Sequence, residues 1–275
     1  MNSISVYKII KNLIFVLLGV LLVLVLLFIL NKTTDNYVIF PKISTILKRF
    51  FKLLGNKKTY KYFNISILEL IVALLFSSLF GTIFGTLGGL RYEFDLVMKP
   101  LITILKSIPM IILIVIVMLV APRGDTLYSN VPKICAFLIL FPIMYEAVKT
   151  GISNIDKRYI EEYKMFSRTT PKVIFKVHYP LISHHFKEAL SNMVSMGFKL
   201  IVTTEYVVQV KNSLGIDVFN RFRDLEYDYI YAYALIIAIF VVLLELFFKL
   251  IINLIEYFYK KSSIYINQQL YKEDK

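Results

Sequence analysis

The sequence predicts an all-α, polytopic membrane protein with about six transmembrane helices and a polar two-helix segment between the fourth and fifth. Three observations carry that prediction. Hydrophobic residues occupy 57% of the 275 positions, with a mean hydropathy of +0.67, whereas soluble domains are roughly 45–50% apolar. The excess falls in blocks of roughly 18–25 residues, the length that crosses a hydrocarbon core of about 30 Å. Such a core holds no water to satisfy backbone groups, so each block is expected to be a helix. The simplest division is one membrane domain over residues 1–275, with its core at about 60–256.

The first span is read at about 13–30. Lys8 and Lys11 ahead of Leu13–Leu30 resemble a signal peptide, but the apolar run is long and no small-x-small site follows, so it reads as a retained span. Within the polar stretch 31–63, Ile43, Ile46, Leu47, Phe50, Phe51, Leu53 and Leu54 recur at helical spacing, with Lys48, Arg49 and Lys52 between them. That pattern suits an amphipathic helix lying on a membrane surface. Span 2, about 65–87, ends in Gly81, Gly85, Gly88 and Gly89. Gly81 and Gly85 form a G-x-x-x-G that lets a second helix approach closely, or else the helix end frays into a turn. A short charged loop, Arg91–Lys99, closes on Pro100. Span 3, about 101–120, carries Lys106 and Pro109 near its start, so an irregular first turn is expected. The turn-rich Ala121–Asp125 leads to span 4 at about 132–148. Span 5 is expected at about 189–209 and span 6 at about 229–256, separated by the polar and aromatic stretch 211–228. The basic tail, 257–275, reads as frayed.

Several function classes lose support at once. The formal net charge is +13, but the basic residues sit in short loops between spans and form no soluble face, so nucleic acid is not an expected partner; anionic membrane lipid is. Basic residues slightly favour an inside N-terminus, 16 against 13 by segment, a weak form of the positive-inside bias. The single cysteine, Cys135, lies in an apolar run and permits neither a disulfide framework nor a cysteine metal site within one chain. His178, His184 and His185 form no H-E-x-x-H and read as loop residues; no metal and no cofactor are expected. No phosphate-binding G-x-x-x-x-G-K-[ST] is present, since Gly55-Asn56-Lys57-Lys58-Thr59 lacks the first glycine and the spacing. The chain is therefore expected not to be an enzyme, and any ATP hydrolysis falls to a partner subunit.

The segment 149–187 is the most informative. Ile155, Tyr159, Ile160, Tyr163 and Phe166 predict a short amphipathic helix over about 155–167. Thr170 as cap and Pro171 at the first helical position start a second, with Val173, Ile174 and Val177 on its apolar side and Pro180 at its end. The spacing resembles the coupling loop of permease subunits of ATP-binding-cassette importers, which reads E-A-A, three residues, G, nine residues, I-x-L-P. Here Glu161-Glu162-Tyr163, then Ser167, then Val177-His178-Tyr179-Pro180 stand in that register. Glu161 and Pro180 are identical to the pattern and Val177 is conservative. Glu162 and Tyr163 replace two alanines, and Ser167 replaces the glycine.

Further features resemble the branch that imports nitrate, sulfonates and taurine. They are Phe40-Pro41-Lys42-Ile43-Ser44 after span 1, the Gly81–Gly89 cluster, Ile108-Pro109, Asp156-x-Arg158, Glu205 and Leu214-Gly215. The resemblance covers roughly residues 10–256. It implies a multi-pass protein of the bacterial inner (cytoplasmic) membrane, paired with a second permease copy. A cytoplasmic ATPase dimer would dock on Asp156, Arg158, Glu161, Glu162, Ser167, Pro171, Val177 and Pro180. An extracellular or periplasmic binding protein would deliver the solute. Lys199, Thr203, Thr204 and Glu205 in span 5 are the candidates for the pathway, because an ionisable residue at membrane depth normally faces a cavity or a partner. Lys199 then either faces the pathway and favours an anion, or pairs internally with Glu205 or Glu69. A membrane scaffold of the same fold and a secondary transporter are the rival readings; the latter predicts internal repeats, and none stands out.

Overall fold

The computed structural model describes residues 39–121, 130–155 and 179–273, together with Val25 and Ile29; residues 179–181 and 252–273 are described by backbone alone. The expected span 1, apart from Val25 and Ile29, therefore lies outside the described residues, as does most of the 121–125 turn. So do Asp156, Arg158, Glu161, Glu162, Ser167, Pro171 and Val177.

All regular structure among the described residues is helical: α1 Ile43–Leu54, α2 Lys57–Leu90, α3 Tyr92–Ser107, α4 Met110–Val120, α5 Val131–Ser153, α6 Tyr179–Val208, α7 Leu214–Arg223 and α8 Tyr227–Glu273. The protein is thus all-α, as its composition predicts. Among the described residues, three stretches are long and apolar enough to cross a membrane: Lys57–Leu90, Val131–Ser153 and Tyr227–Ile251. The bent pair α3–α4 makes a fourth if it is one broken span and not a re-entrant loop. α6 spans 30 residues, about 45 Å at 1.5 Å per residue, but it is too polar to join them.

The chain divides into two compact units, Met1–Lys57 with Val218–Ile236, and Lys58–Asp217 with Ile237–Lys275. In the first, Ile46 and Leu53 of α1 are buried. Arg49 Nε donates to Asp228 Oδ2 at 2.6 Å, and Nη1 donates to the Tyr229 hydroxyl at 3.1 Å. The Asp228 hydrogen bond holds the Arg49 pKa above its ordinary value. The Arg49 and Arg221 guanidinium carbons lie 4.4 and 4.1 Å from the Tyr229 ring centroid, within cation–π range. Leu225, in the turn between α7 and α8, has φ 59°, a conformation that costs a non-glycine residue roughly 1–2 kcal/mol.

In the second unit the glycine cluster of α2 packs on α5. A Cβ at Gly81 would lie 2.6 Å from Met144 Cβ, and one at Gly85 would lie 2.7 Å from the Tyr145 carbonyl oxygen. Close approach, not fraying, is thus what the glycines serve: α2 continues helically through all four of them to Leu90. α5 and α6 form the most extensive helix pair, and Phe63, Phe198 and Phe240 join α2, α6 and α8 with centroids 4.8–6.1 Å apart.

Three expectations need correction. The stretch read as a loop, Arg91–Lys99, is the first half of α3; Glu93 and Asp95 in its first turn offset the helix dipole, and Pro100 is accommodated inside the helix. Span 3 is not one continuous helix with an irregular first turn: α3 and α4 meet at 106° across Ile108-Pro109. Proline lacks an N–H and pushes the preceding residue to extended backbone, and Ile108 indeed sits at φ −68°, ψ 124°. The tail read as frayed continues α8 to Glu273; no glycine or proline interrupts 227–273.

Candidate functional site

α6 carries the site because its exposed and buried faces are unlike those of its neighbours. Its buried residues include Ile182, Met193, Val194, Phe198, Ile201, Thr204 and Glu205. Its exposed residues are His184, Glu188, Asn192, Met196, Lys199 and Thr203. Successive members of that set are three or four apart, so at 100° per residue they fall within an arc of about 120°. Five of the six are polar. The exposed face of α2 is the opposite: Leu68, Ile71, Leu75, Phe76, Leu79 and Ile83.

The register of this stripe is fixed from behind. Glu205, 0% exposed, accepts the Ser66 hydroxyl of α2 at 2.6 Å through Oε1 and the Gly215 N–H of α7 at 3.0 Å through Oε2. It thereby caps the first turn of α7, supplying a buried acceptor where that helix has unpaired N–H groups. Ser213 completes the cap by accepting the Ile216 N–H at 3.2 Å. The intervening turn holds Gln209 and Asn212 at φ 59° and 60°. Gly215 is sterically required: a Cβ there would lie 2.3 Å from the Tyr206 backbone nitrogen. Glu69, one turn after Ser66 on α2, is 6% exposed and lies within electrostatic reach of Glu205 and Lys133.

The four residues expected in the pathway therefore separate. Lys199 and Thr203 share the exposed stripe. Thr204 and Glu205 are buried on the other side, Thr204 donating to the Leu200 carbonyl at 2.8 Å. Thr203 likewise donates to the Lys199 carbonyl at 2.8 Å. Lys199 forms no ion pair among the described residues: Glu205 is six residues on, roughly 240° around the helix, and engaged with Ser66 and Gly215. Pro180 lies in the first turn of α6. His184 and His185, expected in a loop, lie within α6, and His184, Glu188 and Asn192 escaped notice as stripe members although their four-residue spacing continues backward from Lys199. It also overlooked the Ser66–Glu205–Gly215 cap, whose residues are far apart in the chain.

A helix with a polar exposed stripe, held in register by a buried carboxylate, stands among helices long and apolar enough to cross a membrane. Residues 77–261, more than half of the chain, match the family model of binding-protein-dependent transport system inner membrane components, and the chain belongs to that family. It is accordingly a permease subunit of an ATP-binding-cassette importer, and the family is a membrane permease, not a catalytic domain. No curated protein shows significant similarity to the chain.

Proposed function

We propose that the exposed stripe of α6 lines a solute pathway formed with a second permease subunit. One observation carries this reading: among helices that otherwise expose apolar residues, α6 alone of the described long helices exposes a continuous polar row. Polar groups left against hydrocarbon cost several kcal/mol each, so such a row belongs against water or a polar partner. Lys199 is the only cation in the row, and it favours an anionic solute of the sulfonate, nitrate or related class. The segment 156–178 is the docking element for a cytoplasmic ATPase dimer, with Glu161 and its neighbours held in the ATPase cleft. An extracellular or periplasmic binding protein loads the pathway from the other side of a bacterial inner membrane. ATP binding and loaded binding protein each bias one of two states of the pore.

The test is uptake into proteoliposomes holding the permease with its co-purified ATPase and binding protein, screened with nitrate, sulfate and a short alkanesulfonate. Lys199→Met is expected to abolish uptake of whichever anion the wild type carries while the complex still assembles. Unchanged uptake by Lys199→Met contradicts the assignment of Lys199. Co-purification without any ATPase favours the secondary-transporter reading.

A further inference from the structure

We infer that α3 and α4 form a bracket, locked to the end of α5 by Asp95, that passes movement of that end to the opposite end of the same helix and to α6. The inference rests on the proposed docking of an ATPase on segment 156–178, which directly follows α5. Asp95 is where the bracket is held. Its Oδ1 accepts the Tyr145 hydroxyl at 2.8 Å, and its Oδ2 pairs with Lys149 Nζ at 2.7 Å. Tyr145 and Lys149 are four residues apart and share one face of α5. Asp95 and Lys149 have side chains 13% and 30% exposed, and Tyr145 is 1% exposed, so the ion pair is screened far less than a surface pair. A second pair, Lys106 with Glu146 at 2.6 Å, is half-exposed and adds little. Between the two pairs Ile102 packs against Phe141 and Tyr145. At the other arm, Leu113, Ile114 and Val117 of α4 pack on Val131 and Cys135 at the start of α5, and Val207 and Val208 of α6 join that cluster.

The arms meet at the 106° corner of Ile108-Pro109, where proline removes a rotatable φ and the preceding residue is confined to extended backbone. A stiff corner of this kind transmits rotation where a flexible loop would absorb it. The last turns of α5, which lead into the docking segment, are thereby tied through α3 and α4 to the far end of α6.

The experiment uses the permease–ATPase complex in nanodiscs, with Cys135→Ala and spin labels on Leu68→Cys and Leu119→Cys, both exposed in the wild type at 62% and 80%. Addition of MgATP and vanadate is expected to shift the 68–119 distance distribution. Asp95→Asn, which keeps an acceptor for Tyr145 but removes the charge, is expected to lose the shift while ATPase co-purification and basal hydrolysis stay within about twofold. The exchanged pair Asp95→Lys with Lys149→Asp restores the shift. If the exchanged pair does not fold, Lys149→Met provides the same test from the other partner. A full shift in both single variants overturns the inference while leaving ATPase docking intact. Failure of the ATPase to co-purify with the wild type overturns the docking reading and the inference with it. A structural role alone would lower the melting temperature without erasing the nucleotide-dependent shift.

Discussion

α2 and α6 are similar in length, 34 and 30 residues, and opposite in organisation. α2 turns its polar and small residues inward, Ser66, Glu69, Ser77, Gly81 and Gly85, and presents leucine, isoleucine and phenylalanine outward. α6 buries Phe198, Met193 and Ile201 and presents Glu188, Asn192, Lys199 and Thr203. Exposure in water would make α2 the anomaly. Exposure in a bilayer makes it the ordinary case, since lipid tails are as apolar as leucine. The surface that then needs a non-lipid neighbour is the outer face of α6. The difference teaches that accessibility alone does not mark a candidate pathway; accessibility together with polarity does.

The comparison breaks most severely where the two helices are joined. Gly215→Ala drives a Cβ into the Tyr206 backbone, where no side chain can yield. Glu205→Ala strips the acceptor from Ser66 and Gly215. Each change is expected to cost about 3 kcal/mol or more, from overpacking or from unsatisfied buried donors. Size-exclusion yield of the intact permease in detergent checks this, and near-wild-type yields would remove the cap from the account. Gly85→Ala comes next, with an expected loss of about 1–3 kcal/mol, because its Cβ meets the Tyr145 carbonyl; thermal melting in detergent reads the effect. Lys199→Met should change stability by no more than about 0.5 kcal/mol while uptake is lost, which separates the exposed face of α6 from its buried one. A last change leaves uptake alone and acts on stability with the opposite sign. Leu225→Gly relieves a left-handed backbone and should stabilise by about 1 kcal/mol, seen as a higher melting temperature with unchanged uptake.

How much of this was legible in the sequence depended on whether the signal was local. The α2, α5 and α8 spans follow from long, predominantly apolar runs, and the close-approach role of Gly81 and Gly85 from their spacing. Lys199 and Thr203 were recoverable as a pair because they are four apart. Thr204 and Glu205 were grouped with them by adjacency, yet consecutive residues on a helix are 100° apart, and the structure places them on the buried side. The Glu205 cap and the Asp95–Lys149 pair join residues far apart in the chain, so no window of sequence contains them. The 106° corner was half-legible: Ile108-Pro109 announces a break, but not its angle. The charged stretch 91–99 read as a loop because its charges outweighed its helical spacing, and Asp95 turned out to be charged for a packing reason.

The central claim is that the exposed stripe of α6 meets water. Single cysteines at Asn192, Lys199, Leu75 and Phe76, in the assembled complex with Cys135 replaced by alanine, can be probed with a membrane-impermeant maleimide. The account predicts modification at 192 and 199, slowed by transported solute, and little at 75 and 76. Equal protection at all four positions would contradict it.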